Sequence, residues 1–115
     1  MVNKPHLDEE ALAELRDVME DEFDVLIETY LSDSADRINT LHRALVTEDN
    51  EMFTKSIHSF KGSSINIGAP LLGELCLRAE CAGRNGRLDE AGQVLDRIES
   101  EFQTVSDLFQ KLLNA

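Results

Sequence analysis

His58, Lys61 and Gly62, within four positions of one another, are the residues best equipped to do chemistry. Read as a helix at about 100° per residue, Phe53, Ile57, Phe60, Ser64 and Ile67 share one face. His58 points close to the opposite side, with Lys61, Gly62 and Ile65 around it. The periodicity thus predicts an exposed histidine on a helix that buries an apolar stripe. A glycine inside a helix costs about 1 kcal/mol relative to alanine. Here its missing side chain leaves the approach to His58 open, and Lys61 sets a positive charge one turn away. An accessible imidazole beside a cation suits attack on phosphorus, with the phosphoryl charge offset afterwards by charge-assisted hydrogen bonds. Singly, each residue has a plainer account: a surface histidine, a surface lysine, a glycine kept for tight helix packing. Gly62 lies on the histidine face, so access is the better reading.

The run His58-Ser59-Phe60-Lys61-Gly62-Ser63-Ser64, with Gly68 following, resembles the His-x-x-Lys-Gly-Ser-Ser segment of histidine-containing phosphotransfer (HPt) domains. The resemblance extends through Leu72, Leu75, Cys76 and Glu80 to Gly83-Arg84, and the length fits, so it covers most of the chain. Size and charge are similar to those of stand-alone pseudomonad members. The resemblance implies a phosphorelay carrier of two-component signalling. His58 would accept a phosphoryl group from a receiver-domain aspartate of a hybrid sensor kinase and pass it to the aspartate of a response regulator. It implies no cofactor on this chain, Mg²⁺ being held by the receiver, and no autonomous kinase activity. It also implies that Glu80 orients the histidine region and that Arg84 borders the docking surface. By sequence alone those two form an i,i+4 pair on a helix flank, worth a few tenths of a kcal/mol. Glu80 could hold the imidazole and set its tautomer, although a carboxylate near a phosphoryl group would also repel it. Ile65, one turn past Lys61 on the exposed face, is a candidate contact for a partner helix.

Four amphipathic patterns and a shorter one must position these residues. Asp8 can cap a first helix carrying Glu9 and Glu10 in its first turn and Leu12, Leu15 and Met19 on its apolar edge. From about Asp21 to Val46, Phe23, Ile27, Tyr30, Leu31, Ile38, Leu41 and Leu45 recur at three- and four-residue steps, with Ser34 or Ala35 filling the gap. Asp49 or Asn50 can cap the histidine helix, which should run to about Ile67. Gly68 suits its stop and Pro70 the next start. The following helix carries Leu71, Leu72, Leu75, Cys76, Ala79, Ala82 and Gly83, and Gly83-Arg84-Asn85-Gly86 signals a turn. The last begins near Leu88 or Asp89 and shows Ala91, Val94, Leu95, Ile98, Phe102, Val105, Phe109 and Leu112. Short connections make successive helices antiparallel. The expected fold is all-α: one domain over 1–115, an up-down four-helix bundle with a short N-terminal covering helix. Residues 1–7 read as a loose arm. His6 and His42 read as residues without a role. Ser63 and Ser64 border the buried face and are small enough to let the histidine helix approach its neighbours closely; the alternative for Ser64 is a bond back to its own helix backbone.

Composition narrows the function classes. The 115 residues are 42% hydrophobic but only 5% aromatic, with no Trp and two Pro, which favours helices over a β-sandwich. No apolar run approaches the ~20 residues of a membrane span, and the N-terminus lacks the apolar core of a signal peptide, so a cytoplasmic location is expected. A net charge of −12 argues against nucleic acid. That charge is uneven. Residues 51–87 hold Lys55, Lys61, Arg78, Arg84 and Arg87 against Glu51, Glu74 and Glu80, about +2, leaving about −14 elsewhere. Cys76 and Cys81 point about 140° apart on a helix, which disfavours a mutual disulfide or a shared metal.

Rival chemistries lack their parts. A P-loop needs Gly-Lys-Ser after a strand, and a di-iron bundle needs Glu-x-x-His on facing helices. A Ser-x-x-Lys nucleophile would need serine where His58 stands. A histidine-kinase dimerisation helix typically has an acid just after its histidine and a proline soon after that; Ser59 and the lack of a nearby proline argue against it. Four apolar stripes suffice to close one bundle, so a monomer is expected. The alternative function is a helical adaptor whose acidic faces bind a partner without phosphorylation.

Overall fold

The computed structural model describes residues 4–114. Five helices follow in order: α1 (Glu9–Met19), α2 (Phe23–Val46), α3 (Asn50–Asn66), α4 (Pro70–Arg84) and α5 (Leu88–Leu113). A 3₁₀ turn, Glu20–Glu22, separates α1 from α2. The long pattern therefore starts two residues later than its periodicity suggests, after Glu20 breaks the chain at φ +49°. Asp8 caps α1, accepting a hydrogen bond from the Ala11 N–H at 3.0 Å. Of the two candidate caps for α3, Asp49 serves, accepting from the Met52 N–H at 3.0 Å. Gly68 ends the α3–α4 connection at φ +88° and Pro70 opens α4. Any side chain at Gly68 would be strained by that φ, and its Cβ would lie 3.2 Å from Leu12 Cγ, so the turn and the covering helix fit only with glycine there.

Helices α2 to α5 form the expected antiparallel bundle, each packing on its chain neighbours, with α2 closing against α5. The core holds Phe23, Phe53, Phe60 and Phe109 among Ile27, Leu41, Ile57, Leu72, Leu95 and Ile98, all fully buried. Phe53, Ile57 and Phe60 of α3 together contribute roughly 5–9 kcal/mol by burial. That far exceeds the ~1 kcal/mol lost to Gly62, so α3 tolerates a glycine next to its functional face. Ser34, buried, fills the gap in the α2 stripe, and Ala35 is exposed. Ser64 bonds across the core to the Tyr30 hydroxyl at 2.8 Å, and it is Ser63 that donates back to its own helix, to the Phe60 carbonyl at 3.1 Å. Burial pushes the Tyr30 hydroxyl up to about 12, so it stays a neutral hydrogen-bonding group.

The N-terminal segment corrects the sequence reading. Residues 1–3 lie outside the described residues, but residues 4–7 are tied to the bundle and are not a loose arm. The Pro5 carbonyl accepts from the Leu71 N–H at 3.3 Å, and the Asp8 N–H donates to the Gly68 carbonyl at 2.8 Å. His6, expected to have no role, bonds through Nδ1 to both carboxylate oxygens of Glu101, at 2.7 and 3.0 Å. The reason is local: α4 starts without a side-chain cap, and its first-turn N–H groups need partners from elsewhere. The segment supplies one.

Candidate functional site

His58 sits on the outer face of α3, 61% exposed, and Lys61 follows one turn later. Across the groove, α4 presents Glu80, whose side chain is only 2% exposed. The two helices converge on this carboxylate. Glu80 Oε2 lies 2.7 Å from His58 Nδ1 and accepts from Arg84 Nη2 at 2.8 Å, while Oε1 accepts from Lys61 Nζ at 2.6 Å. Three of the sequence-derived site residues thus meet on a fourth. By sequence alone Glu80 is half of a flank pair with Arg84, and the resemblance adds that it orients the histidine region; the structure has both the pair and the bond to His58, with Glu80 buried and central. Its position signals this: Cys76, Glu80 and Gly83 fall at i, i+4 and i+7 on the apolar stripe, where a carboxylate needs partners.

Burial opposes the charge on Glu80, but the hydrogen bonds from Lys61 and His58 and the charges of Lys61 and Arg84 outweigh it. Together they hold its carboxyl below the usual carboxylate range. An ionised carboxylate only accepts hydrogen bonds, so Nδ1 of His58 must carry the proton. In a neutral imidazole that leaves Nε2, on the opposite edge of the ring, with its lone pair free. The arrangement is therefore an exposed nitrogen nucleophile with a fixed tautomer and two cations within reach of its ring.

The remaining site residues frame the approach. A Cβ at Gly62 would meet nothing within 4 Å, so its smallness serves no internal packing and leaves space outside the protein. Ile65 is 55% exposed. Its Cγ1 would lie 2.6 Å from a Cβ at Gly73, so it leans on the α4 backbone where glycine permits. Arg84 is exposed beyond its bond to Glu80. The other histidines stand apart from the site. His42 bonds across helices to Glu99, a partner on α5 that its own neighbourhood in sequence does not reveal. Glu101, in the apolar stripe of α5, has only His6 as a hydrogen-bond partner among the described residues. Cys76 is buried, which pushes its thiol up to about 12, and it packs as a small apolar side chain. Among the described residues no three His, Cys, Asp or Glu side chains gather as a metal site, and no helix is long and apolar enough to cross a membrane.

The family model described as "Hpt domain" matches residues 25–108, which include the whole His58 cluster. The chain belongs to the Hpt domain family. Its fold superposes with a TM-score of 0.91 on histidine-containing phosphotransfer protein B (HptB) from Pseudomonas aeruginosa PAO1, at 42% identity over 95% of both chains. The Hpt fold is shared more distantly with a histidine-containing phosphotransfer protein from maize, at TM-score 0.85, 22% identity and coverage of 95% of this chain and 84% of that one. A Medicago truncatula counterpart gives 0.82, 22%, 95% and 78%. No curated protein matched in a search by sequence. The all-α bundle expected from the periodicity is thus the fold of this family.

Proposed function

We propose that this Hpt domain is a phosphorelay carrier that holds the phosphoryl group on Nε2 of His58. The donor is the phosphorylated aspartate of a receiver domain of a hybrid sensor kinase, and the acceptor is the aspartate of a response regulator. The observation that carries the reading is the bond between His58 Nδ1 and the buried Glu80 carboxylate, because it leaves Nε2 as the nucleophile on an exposed ring.

In the first transfer the Nε2 lone pair forms the N–P bond. The aspartyl O–P bond breaks, and its electron pair leaves with the aspartate. The ring gains positive charge, which the Glu80 carboxylate offsets through the proton on Nδ1. The second transfer reverses these steps toward a new aspartate. Lys61 and Arg84, both held on Glu80 at rest, are available to the phosphoryl oxygens. Glu80 acts through the imidazole and is a positioning residue. Gly62, Ile65 and Arg84 belong to the face that meets the receiver. Mg²⁺ belongs to the receiver's acidic pocket. The chain itself takes no cofactor, has no kinase activity of its own, and works as a cytoplasmic monomer.

The test is incubation with a panel of phosphorylated receiver domains, followed by mapping of the label. An acid-labile, alkali-stable modification on His58, acquired by a species that sediments as a monomer, is the expected result. A chain that binds receivers and never acquires label is an adaptor, and the carrier reading fails.

A further inference from the structure

We propose that residues 4–8 form a strap that completes the receiver-docking face, with Lys4 as a partner-discriminating contact. The inference rests on the carrier reading above. It concerns a segment outside residues 25–108, the part matched by the family model.

Four attachments hold the strap on three elements. Asp8 is bonded to the α3–α4 turn at Gly68, and the Pro5 carbonyl meets the first turn of α4 at Leu71. His6 is bonded to Glu101 of α5, and Lys4 to Glu74 of α4 at 3.3 Å. The His6 bond acts as the latch. Glu101 is 8% exposed and has no other hydrogen-bond partner among the described residues, so releasing His6 strands a buried carboxylate. The latch therefore favours the docked strap.

What the docked strap places is Lys4. A cleft of about 320 Å³ opens between α3 and α4 beside the candidate site, with Lys4 and Lys61 at its edges, Ile65 and Leu77 along its walls, and Glu74 paired to Lys4. Ile65 and Leu77 are two of the few large apolar side chains exposed on this molecule. Lys61 belongs both to this cleft and to the His58 cluster, so the cleft is continuous with the docking face. The recess is apolar and edged by two lysines, each held at rest on one carboxylate of this chain, Glu74 or Glu80, with further N–H donors to spare, so it fits an apolar side chain flanked by a carboxylate. The occupant is that pair of side chains on the surface of the receiver domain that exchanges phosphoryl groups with His58. A histidine cluster inside the family match then does the chemistry, and a segment outside that match selects the partner.

The experiment compares wild type, Lys4→Glu and His6→Ala with two donors. One is a phosphorylated receiver domain that labels His58 with saturating kinetics. The other is phosphoramidate, which needs no docking. Lys4 lies outside the core and the other three strap attachments do not use its side chain, so Lys4→Glu gives up the bond to Glu74 but leaves the bundle intact. It should raise the KM for the receiver about three- to tenfold and alter its salt dependence, with kcat nearly unchanged. His6→Ala should raise KM less and speed amide exchange at Leu71. Phosphoramidate labelling should be equal in all three proteins. Equal receiver KM values for wild type and Lys4→Glu would overturn the proposal. So would loss of phosphoramidate labelling in either variant, which would mean that the strap supports the histidine itself. A wild type that takes label from neither donor would overturn the carrier reading and this one with it.

Discussion

Two histidine–glutamate pairs of nearly the same geometry serve different ends in this molecule. His58 and His6 each turn Nδ1 toward a glutamate oxygen 2.7 Å away, and each glutamate is buried, Glu80 on α4 and Glu101 on α5. Both imidazoles are half exposed or more. The surroundings differ. Glu80 also takes Lys61 and Arg84, and His58 rides on a helix anchored by Phe53, Ile57 and Phe60. Glu101 takes no other partner among the described residues, and His6 rides on the short strap before α1. A hydrogen bond to a buried carboxylate therefore does not make a histidine a phosphoryl carrier. What distinguishes His58 is a rigid mount, two cations and the open space beside Gly62. His6 has the same bond, and there it works as a latch.

The largest effect that can break this comparison is at the histidines. His58→Gln should fold with an unchanged helical circular dichroism spectrum and accept no acid-labile phosphoryl group, while His6→Gln should accept it fully. Label retained by the His58 variant would remove the distinction. Next in size, Glu80→Ala should slow labelling of His58 by about ten- to a hundredfold. That corresponds to losing a hydrogen bond to a charged group, worth about 1.5–3 kcal/mol. Glu80→Gln, whose amide oxygen can still accept a hydrogen bond from Nδ1, should recover part of the rate. The equivalent change Glu101→Gln should leave phosphoramidate labelling alone. Gly62→Gln should cut transfer from a receiver about tenfold, roughly 1.4 kcal/mol of lost docking. Small donors should still label that variant. Unimpaired receiver transfer would show that receivers dock elsewhere.

Acid titration sharpens the electrostatic side. The Glu80 carboxyl is held below its ordinary value of 4.5 in the folded chain. Its contribution to stability is thus complete above the unfolded value and is lost as pH falls from about 4.5 through the lower folded value. Denaturant melts across that window should fall less steeply for Glu80→Gln than for wild type. An identical slope would mean that the cluster on Glu80 contributes nothing to folding. The smallest effect belongs to Gly62→Ala. The added methyl meets nothing within 4 Å, so the variant should gain up to about 1 kcal/mol of helix stability and melt slightly higher. A lower Tm would mean that the backbone there is not ordinary helix.

The sequence by itself determined the helices, the bundle and the face on which His58 stands. Each of these follows from local rules: apolar residues at three- and four-residue steps, Asp8 and either Asp49 or Asn50 as caps, Gly68 and Pro70 as stop and start. Side chains a turn apart on one helix must share a face, so the placement of Lys61, Gly62 and Ile65 around His58 was legible too. Only the tertiary structure decided what those faces meet. The place of Glu80 on the α4 stripe was legible, but its role as common acceptor for His58, Lys61 and Arg84 depends on how α4 is rotated against α3. Periodicity within one helix does not encode that rotation. Tyr30 and Ser64 are 34 positions apart and His6 and Glu101 are 95 apart, so neither bond has a local signal. The visible clue for the second of these was Glu101 in the apolar stripe of α5, as Glu80 was in that of α4. A carboxylate placed among core residues must find a donor when the chain folds, and which donor it finds is settled by packing alone.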